Sequence, residues 1–280
     1  MTKVYNVSQY GIAKQIESKL ENINDKNKII TNNISSNLIS NLKLKNYNLY
    51  LCPSKEGDNI LINNKDIFKI AEIINNQIFI VYPSLNNIYN YFIDIAKIMV
   101  KLGIPITWFT PNGLKITQHY LKNKEKIIST SLFNKTKKMV IREYFNEIDS
   151  RKQSNAIIPN IIHSLDATHL INLINNTTEK GFNPIITIHD CFGTHPNKME
   201  ELIYLIKKEF ILLYSQENFL EKFHSRIIQS IKDNNYNVIF NKEENNYYVD
   251  LYGNYIKLPN IPKLGNLDLQ KIMEVKYIVN

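Results

Sequence analysis

Two cysteines in 280 residues, Cys52 and Cys191, are too few for a disulfide framework and fit a reducing compartment. No apolar run approaches the roughly 20 residues a membrane-spanning helix needs. The opening stretch MTKVYNVSQYGIAKQIESKL lacks the hydrophobic core of a signal peptide. These absences predict a soluble, non-secreted chain without a membrane partner. Arginine is scarce as well: Arg142, Arg151 and Arg226 are the only three, against heavy use of Asn, Ile and Lys. That bias is the mark of an AT-rich coding genome, as in organelles and their plasmids, so runs of Lys or Asn carry little weight by themselves. Apolar residues are not scarce. At 44% hydrophobic, with 17 Tyr and 12 Phe, the chain is no disordered polyelectrolyte. Its length can bury a core as one large domain or two modest ones.

Positive charge is unevenly spread. Between Lys115 and Lys152 stand ten basic residues and four acidic ones, a local excess of +6 out of a formal +8 for the chain. Tyr120, Phe133 and Tyr144 are interleaved with them. Clustered cations with aromatics suit contact with a phosphate backbone, and a merely solvated lysine-rich face has the same composition.

Along the chain, apolar spacing predicts an amphipathic helix over Tyr5 to Leu20, a buried helix over Asp66 to Val81, and a third from Pro83 to just before Gly103. Asn22 to Asn48 reads as helix fragments and loop. Ile106 to Thr110, the turn Pro111-Asn112-Gly113 and Leu114 to Tyr120 predict a hairpin. The basic segment continues as extended hairpin to Lys152, and Pro159 breaks the pattern before a helix from about Ile161 to Asn176. Ile185 to Ile188 reads as a core strand, followed by helices over Met199 to Tyr214 and Glu217 to Lys232; the end, from Leu258, is turn-rich and then a short helix.

The sharpest chemistry lies in Pro184 to Pro196, PIITIHDCFGTHP, where a strand runs into His189-Asp190 and Gly193 allows a tight reversal. Four readings stand side by side. Asp190 is a turn former; His189, Cys191 and His195 bind zinc, with a fourth ligand lacking; Cys191 is a nucleophile served by a distant histidine; or Asp190 is a metal-binding carboxylate held on rigid backbone.

Five ordered segments resemble the single-subunit RNA polymerases of bacteriophages, mitochondria and mitochondrial plasmids. HDCFGTHP, from His189, resembles motif C, usually HDSFG. RKQSNAIIPNIIHSLDATHL, Arg151 to Leu170, is similar to the block RKQ…PPNFIHSLD. ITWFTPNG, Ile106 to Gly113, resembles W-x-TP-[DN]-G. MTKVYNVSQYG, Met1 to Gly11, resembles the end of motif B, and LPNIPKLGNLDLQKIME, Leu258 to Glu274, the carboxy-terminal LP-x-x-GNL-L segment. Asn6 stands where the family usually has Gly, and Cys191 where it has Ser.

The resemblance implies an α+β chain, helix-rich with a small antiparallel sheet, forming part of a right-hand polymerase. Residues 1–155 would be the end of the fingers with the basic hairpin segment, and residues 156–280 the palm region with motif C and the carboxy-terminal segment. It implies template-directed nucleotidyl transfer with Mg²⁺ as cofactor and Asp190 as catalytic residue and metal ligand. Paired ions about 4 Å apart activate the 3′-hydroxyl and stabilise the leaving pyrophosphate in such reactions. Tyr5 becomes the sugar-sensing residue beneath the incoming base, and His163 the reader of the minor groove at the terminal RNA–DNA pair. Arg151, Lys152 and Gln153 look like backbone contacts, joined by Lys135, Lys137 and Lys138, while His189 orients the turn or lines the template. The implied partners are the DNA template, nascent RNA, ribonucleoside triphosphates and a missing N-terminal polymerase portion. The implied location is the mitochondrion, encoded by an organelle genome or plasmid. Nothing resembles motif A, which carries the family's other catalytic Asp, and the motif B cations would fall before Met1. Isolated, the chain is therefore expected to be inactive. The alternative is a non-catalytic remnant of a plasmid gene that retains nucleic-acid binding.

Overall fold

The computed structural model describes residues 7–22, 48–53, 59–132, 135–182, 184–188, 191–216 and 218–276. Among them the chain mixes six α-helices with small antiparallel sheets: two of three strands and three two-stranded hairpins. It divides into two compact units, residues 1–86 and 87–280.

In the first unit, helix α1 (Gln9–Glu17) and helix α2 (Asn64–Val81) accompany a sheet of β1 (Glu21–Asn22), β2 (Leu49–Pro53) and β3 (Asn59–Asn63). Ser8 caps α1 by accepting from the Gly11 N–H, and Asn63 with Asp66 forms a capping box on α2. Ile12, Ala13, Tyr50, Ile67 and Ala71 make the core. The expectation of a buried α2 is corrected: only Ile67 and Ala71 are buried, and Phe68, Ile73, Ile74 and Ile80 are exposed. Apolar content gave the helix, but it faces a small core with one stripe. The expectation for Asn22 to Asn48 falls largely outside the described residues.

Helix α3 (Pro83–Lys101) ends where the sequence places its stop. Gly103 adopts φ +70°, and the Ile104 N–H returns to the Met99 carbonyl at 2.9 Å. Within the second unit β4 (Ile106–Phe109) pairs with β5 (Lys115–Gln118) around a turn whose Gly113 has φ +86°. Trp108 on β4 is fully buried beside Phe223 and donates its indole N–H to Ser164 Oγ at 3.2 Å. The arm that follows, β6 (Leu121–Leu132) and β7 (Lys135–Ile148), is a long two-stranded ribbon.

Helix α4 (Ser150–Glu179) overturns two expectations. Extended structure stops at Ile148, because Asp149 caps the new helix by accepting from the Lys152 N–H at 2.9 Å. Pro159 does not break it: the helix runs on through the proline for 30 residues. An internal proline costs about 3 kcal/mol. Burial of Ile157, Ile158 and Ile161 on either side, at roughly 1.5–3 kcal/mol per side chain, outweighs that cost. Residue 155 lies inside this helix.

The chain returns through β8 (Ile186–Ile188) and β9 (Cys191–Gly193), a hairpin of three paired positions. The expected core strand is corrected here too: Ile186 and Ile188 are exposed, since no third strand or second layer covers them among the described residues. Ile185 and Phe192 alone turn inward, onto Leu173, Phe182, Leu202, Leu205 and Ile206. Helix α5 (Met199–Gln216), helix α6 (Phe219–Asp233), a meander of β10 (Val238–Asn241), β11 (Asn246–Leu251) and β12 (Asn254–Lys257), and a 3₁₀ turn over Leu269–Met273 complete the unit.

A buried polar pair joins α3 to α6. Tyr91 Oη lies 3.0 Å from His224 Nδ1, with the Tyr247 ring against the imidazole. Burial raises the tyrosine pKa and lowers that of the histidine, so a neutral phenol and a neutral ring share this hydrogen bond. Because the unfolded chain protonates this histidine more readily, its contribution is whole above about pH 6.5 and is lost as pH falls below it. The thermal midpoint is expected to drop between pH 7 and pH 5, and His224→Gln to flatten that part of the profile. An equally steep profile in the variant would assign the sensitivity to other groups.

Candidate nucleic-acid interface

The arm is roughly 40 Å long at 3.4 Å per residue, and its side chains from Glu125 to Asn146 outside residues 132–136 are all exposed. Apart from Lys124, its cations fall into two groups. Near the root, Lys122 pairs with Glu147 at 2.5 Å, Lys126 with Glu143 at 2.9 Å and Arg142 with Glu125 at 2.9 Å. Towards the tip, Lys137 and Lys138 stand opposite Thr130 and Ser129 and have no carboxylate partner among the described residues. Ile127, Ile128, Met139, Val140 and Ile141 form an exposed apolar band between the two groups. Within the arm, Lys135, Lys137 and Lys138 put three of the segment's six excess charges in the distal half. Lys135 pairs with Leu132 through the backbone, and its side chain lies outside the described residues.

At the root, Arg151 and Lys152 are exposed on the first turn of α4 and line a shallow depression of about 410 Å³ with Asp149, Asn155 and Ala156. The Lys152 ammonium lies 4.7 Å over the Tyr120 ring. Of the three arginines, Arg142 is paired, and Arg226 faces the Phe109 ring with Asp233 at 3.8 Å. Arg151 makes no ion pair among the described residues.

Gln153, expected among the backbone contacts, is fully buried. Its side-chain N–H donates to the Gln118 carbonyl at 3.2 Å, and Gln118 Nε2 donates back to the Gln153 carbonyl at 2.9 Å and to Gln153 Oε1 at 2.5 Å. Asn160 Nδ2 donates to Gln118 Oε1 at 2.8 Å and to the Tyr120 hydroxyl at 3.2 Å. The spacing of these polar residues carries no amphipathic signal, so Gln118 and Asn160 escape sequence reasoning.

His163 lies about 18 Å along the same helix from Arg151. It is exposed, next to the Ser164 that holds Trp108. Beyond it, buried His169 Nε2 lies 3.0 Å from the Ile206 carbonyl, and the ring meets the edges of Phe192 on β9 and Phe210 on α5. His169 therefore ties α4 to the hairpin that precedes and follows His189-Asp190, a role its place on an apolar stripe does not reveal. Ile188 pairs with Cys191, leaving a two-residue connection; His189 and Asp190 themselves lie outside the described residues, as does Tyr5. Among the described residues no cluster of three His, Cys, Asp or Glu could hold a metal ion; the zinc reading of His189, Cys191 and His195 includes a residue outside them.

Helix α4 thus carries the arm root and the cations Arg151 and Lys152 at one end, His163 in its middle, and the β8–β9 hairpin against its far half. A family model described as DNA-dependent RNA polymerase matches residues 1–280. A probable DNA-directed RNA polymerase of Gelasinospora sp. (strain G114) is 38% identical over all of this chain and 32% of its own length. One of Neurospora crassa is 33% identical over 81% of this chain and 24% of its own length. The mitochondrial DNA-directed RNA polymerase of Schizosaccharomyces pombe is 29% identical over 99% of this chain and 22% of its own. The chain spans about a third or less of the length of these relatives. With a family model that matches it from end to end, the chain belongs to the DNA-dependent RNA polymerase family.

Proposed function

We propose that this chain is the motif C-bearing, carboxy-terminal portion of a DNA-directed RNA polymerase that acts in an organelle on a DNA template, nascent RNA and ribonucleoside triphosphates. One observation carries the reading: α4 fixes a basic arm, an exposed histidine and the motif C hairpin in sequence along a single rigid element. Under it, residues 1–155 derive from the fingers and 156–280 from the palm. Tyr5 senses the sugar, and His163 meets the minor groove at the terminal base pair. Arg151, Lys152 and the tip lysines contact phosphates, with Gln153 acting beneath them as a support.

Divalent magnesium suits a site of carboxylates and phosphates. Asp190, in the two-residue connection between Ile188 and Cys191, is this chain's candidate ligand. A single carboxylate does not make a two-ion site, and no further metal-binding cluster occurs among the described residues. The remaining ligands are assigned to polymerase sequence outside these 280 residues. Within this chain, the Ile188–Cys191 pairing and the Phe192 anchor hold the segment that carries Asp190.

The phosphate-contact reading predicts a graded salt response. On an RNA–DNA hybrid, neutralising Lys135, Lys137 and Lys138 to Gln is expected to flatten log affinity against log salt by up to about three ions' worth. Lys122→Gln and Lys126→Gln should change the slope far less, because those ammonium groups already face carboxylates. Fluorescence anisotropy across a salt series checks this; an unchanged slope in the triple variant would mark the tip lysines as merely solvated.

A further inference from the structure

The arm has exposed faces along most of its length, and its orientation depends on what grips its root. Three kinds of contact do so. The Asp149 N–H donates to the Tyr120 carbonyl at 2.8 Å, Lys152 covers the Tyr120 ring, and the Gln118, Gln153 and Asn160 side chains close a hydrogen-bonded set around the strand that feeds the arm. Gln118 and Gln153 are buried, at 3% and 0% exposure, and their amides are mutually satisfied. A register irregularity between Leu121 and Asn123 lies immediately beyond, where bulged ribbons twist and bend most readily. The buried amides thus sit at the junction between the first turns of α4 and the strand that feeds the ribbon.

We propose that Gln118 and Asn160, with Gln153, are positioning residues that lock the arm to the first turns of α4. The lock makes the tip cations Lys137 and Lys138 and the root cations Arg151 and Lys152 engage one nucleic-acid strand as a single preorganised surface. The inference rests on the phosphate-contact reading above and assigns it a geometry. Two cation patches held at fixed separation bind as linked sites, in which the second contact is intramolecular. Cutting the link lowers affinity without removing a single charge.

The test uses the full chain with Cys52→Ser and Cys191→Ser and spin labels on the cysteines of Ser129→Cys, in the arm, and Asn175→Cys, exposed on α4. The locked arm gives one narrow distance distribution by pulsed electron resonance. Gln118→Met, similar in size but unable to donate or accept in the set, and Asn160→Leu, as a second variant, broaden it. Fluorescence of the only tryptophan, buried Trp108, monitors whether the surrounding seam is intact. In the unlabelled proteins, both variants weaken binding of an RNA–DNA hybrid roughly tenfold at low salt. Both also shrink the loss caused by Lys137→Gln with Lys138→Gln, since an uncoupled tip no longer adds to the root. A merely structural amide would leave the two effects additive. Narrow distributions in both variants would overturn the lock. Broadened distributions with unchanged affinity would overturn its coupling to binding. If the parent chain bound no hybrid, the phosphate-contact reading would fall and the coupling with it, while the distances would still decide the lock.

Discussion

Asp190→Asn, made in a polymerase that carries this segment, is expected to lower turnover by roughly a thousandfold or more while leaving the fold in place. The carboxamide matches the carboxylate in shape but has no charge with which to oppose a divalent ion or a developing polyphosphate charge. The fold should survive for reasons visible in the hairpin. Its core contacts come from Ile185 and Phe192, its ladder from the pairs Ile186–Gly193, Thr187–Phe192 and Ile188–Cys191, and its base from Thr194 Oγ1 donating to the Pro184 carbonyl at 2.8 Å. None of these uses the side chain at 190. The same reasoning predicts no measurable RNA synthesis from the 280 residues alone, because one carboxylate cannot hold two ions against their mutual repulsion. Template-dependent incorporation by the isolated chain, abolished by Asp190→Asn, would require a second carboxylate within it. Near-normal turnover in the substituted polymerase would remove Asp190 from the chemistry.

The features legible in the sequence were those written in local chemistry. The stop of α3 at Gly103 and the Pro111-Asn112-Gly113 turn each require a particular backbone conformation that few residues supply, and both stand where expected. The arm, too, follows from extended, β-favouring residues on either side of its tip. What escaped was decided by tertiary context. Pro159 looks like a stop until the isoleucines around it are known to be buried. Ile185 to Ile188 looks like a core strand because an apolar run says nothing about which layers cover it. The apolar stripe of α4 is interrupted by Gln153, Ser164, Thr168, His169 and Thr177, all buried. Each is hydrogen-bonded, for example Thr168 Oγ1 to the Ser164 carbonyl at 2.8 Å, so a polar residue on this face is no sign of exposure. The meander over Val238 to Lys257 carries no strong periodic signal and was not anticipated. For the candidate site, the resemblance pointed to the segments that form α4 and the β8–β9 hairpin, but neither it nor periodicity could show that Gln153 faces inward or that Lys122, Lys126 and Arg142 of the arm are paired with carboxylates.

The seam that holds His163 in place rests on Trp108, and its loss is expected to be the most destabilising truncation at that seam. Trp108 is fully buried on β4, near the Phe223 ring at 6.4 Å, and its indole N–H reaches Ser164 Oγ at 3.2 Å. Trp108→Ala removes the largest fully buried side chain in the protein and leaves a cavity between β4, α4 and α6. Such truncations cost about 3–5 kcal/mol, a large share of the roughly 5–15 kcal/mol that keeps a domain folded. Trp108→Phe should cost less, about 1–2 kcal/mol, by losing volume and one hydrogen bond. The Ser164 hydroxyl would remain satisfied, because it also donates to the Ile161 carbonyl at 2.7 Å. Ser164→Ala is therefore expected to fall near Trp108→Phe, and the pair to be strongly non-additive. Urea unfolding followed by circular dichroism separates these cases through the midpoint at constant slope. If Trp108→Ala shifted stability by less than about 1 kcal/mol, β4 could not be the wedge that fixes α4. The orientation of His163 would then have to come from the Gln118 lock and the His169 tie at either end of the helix.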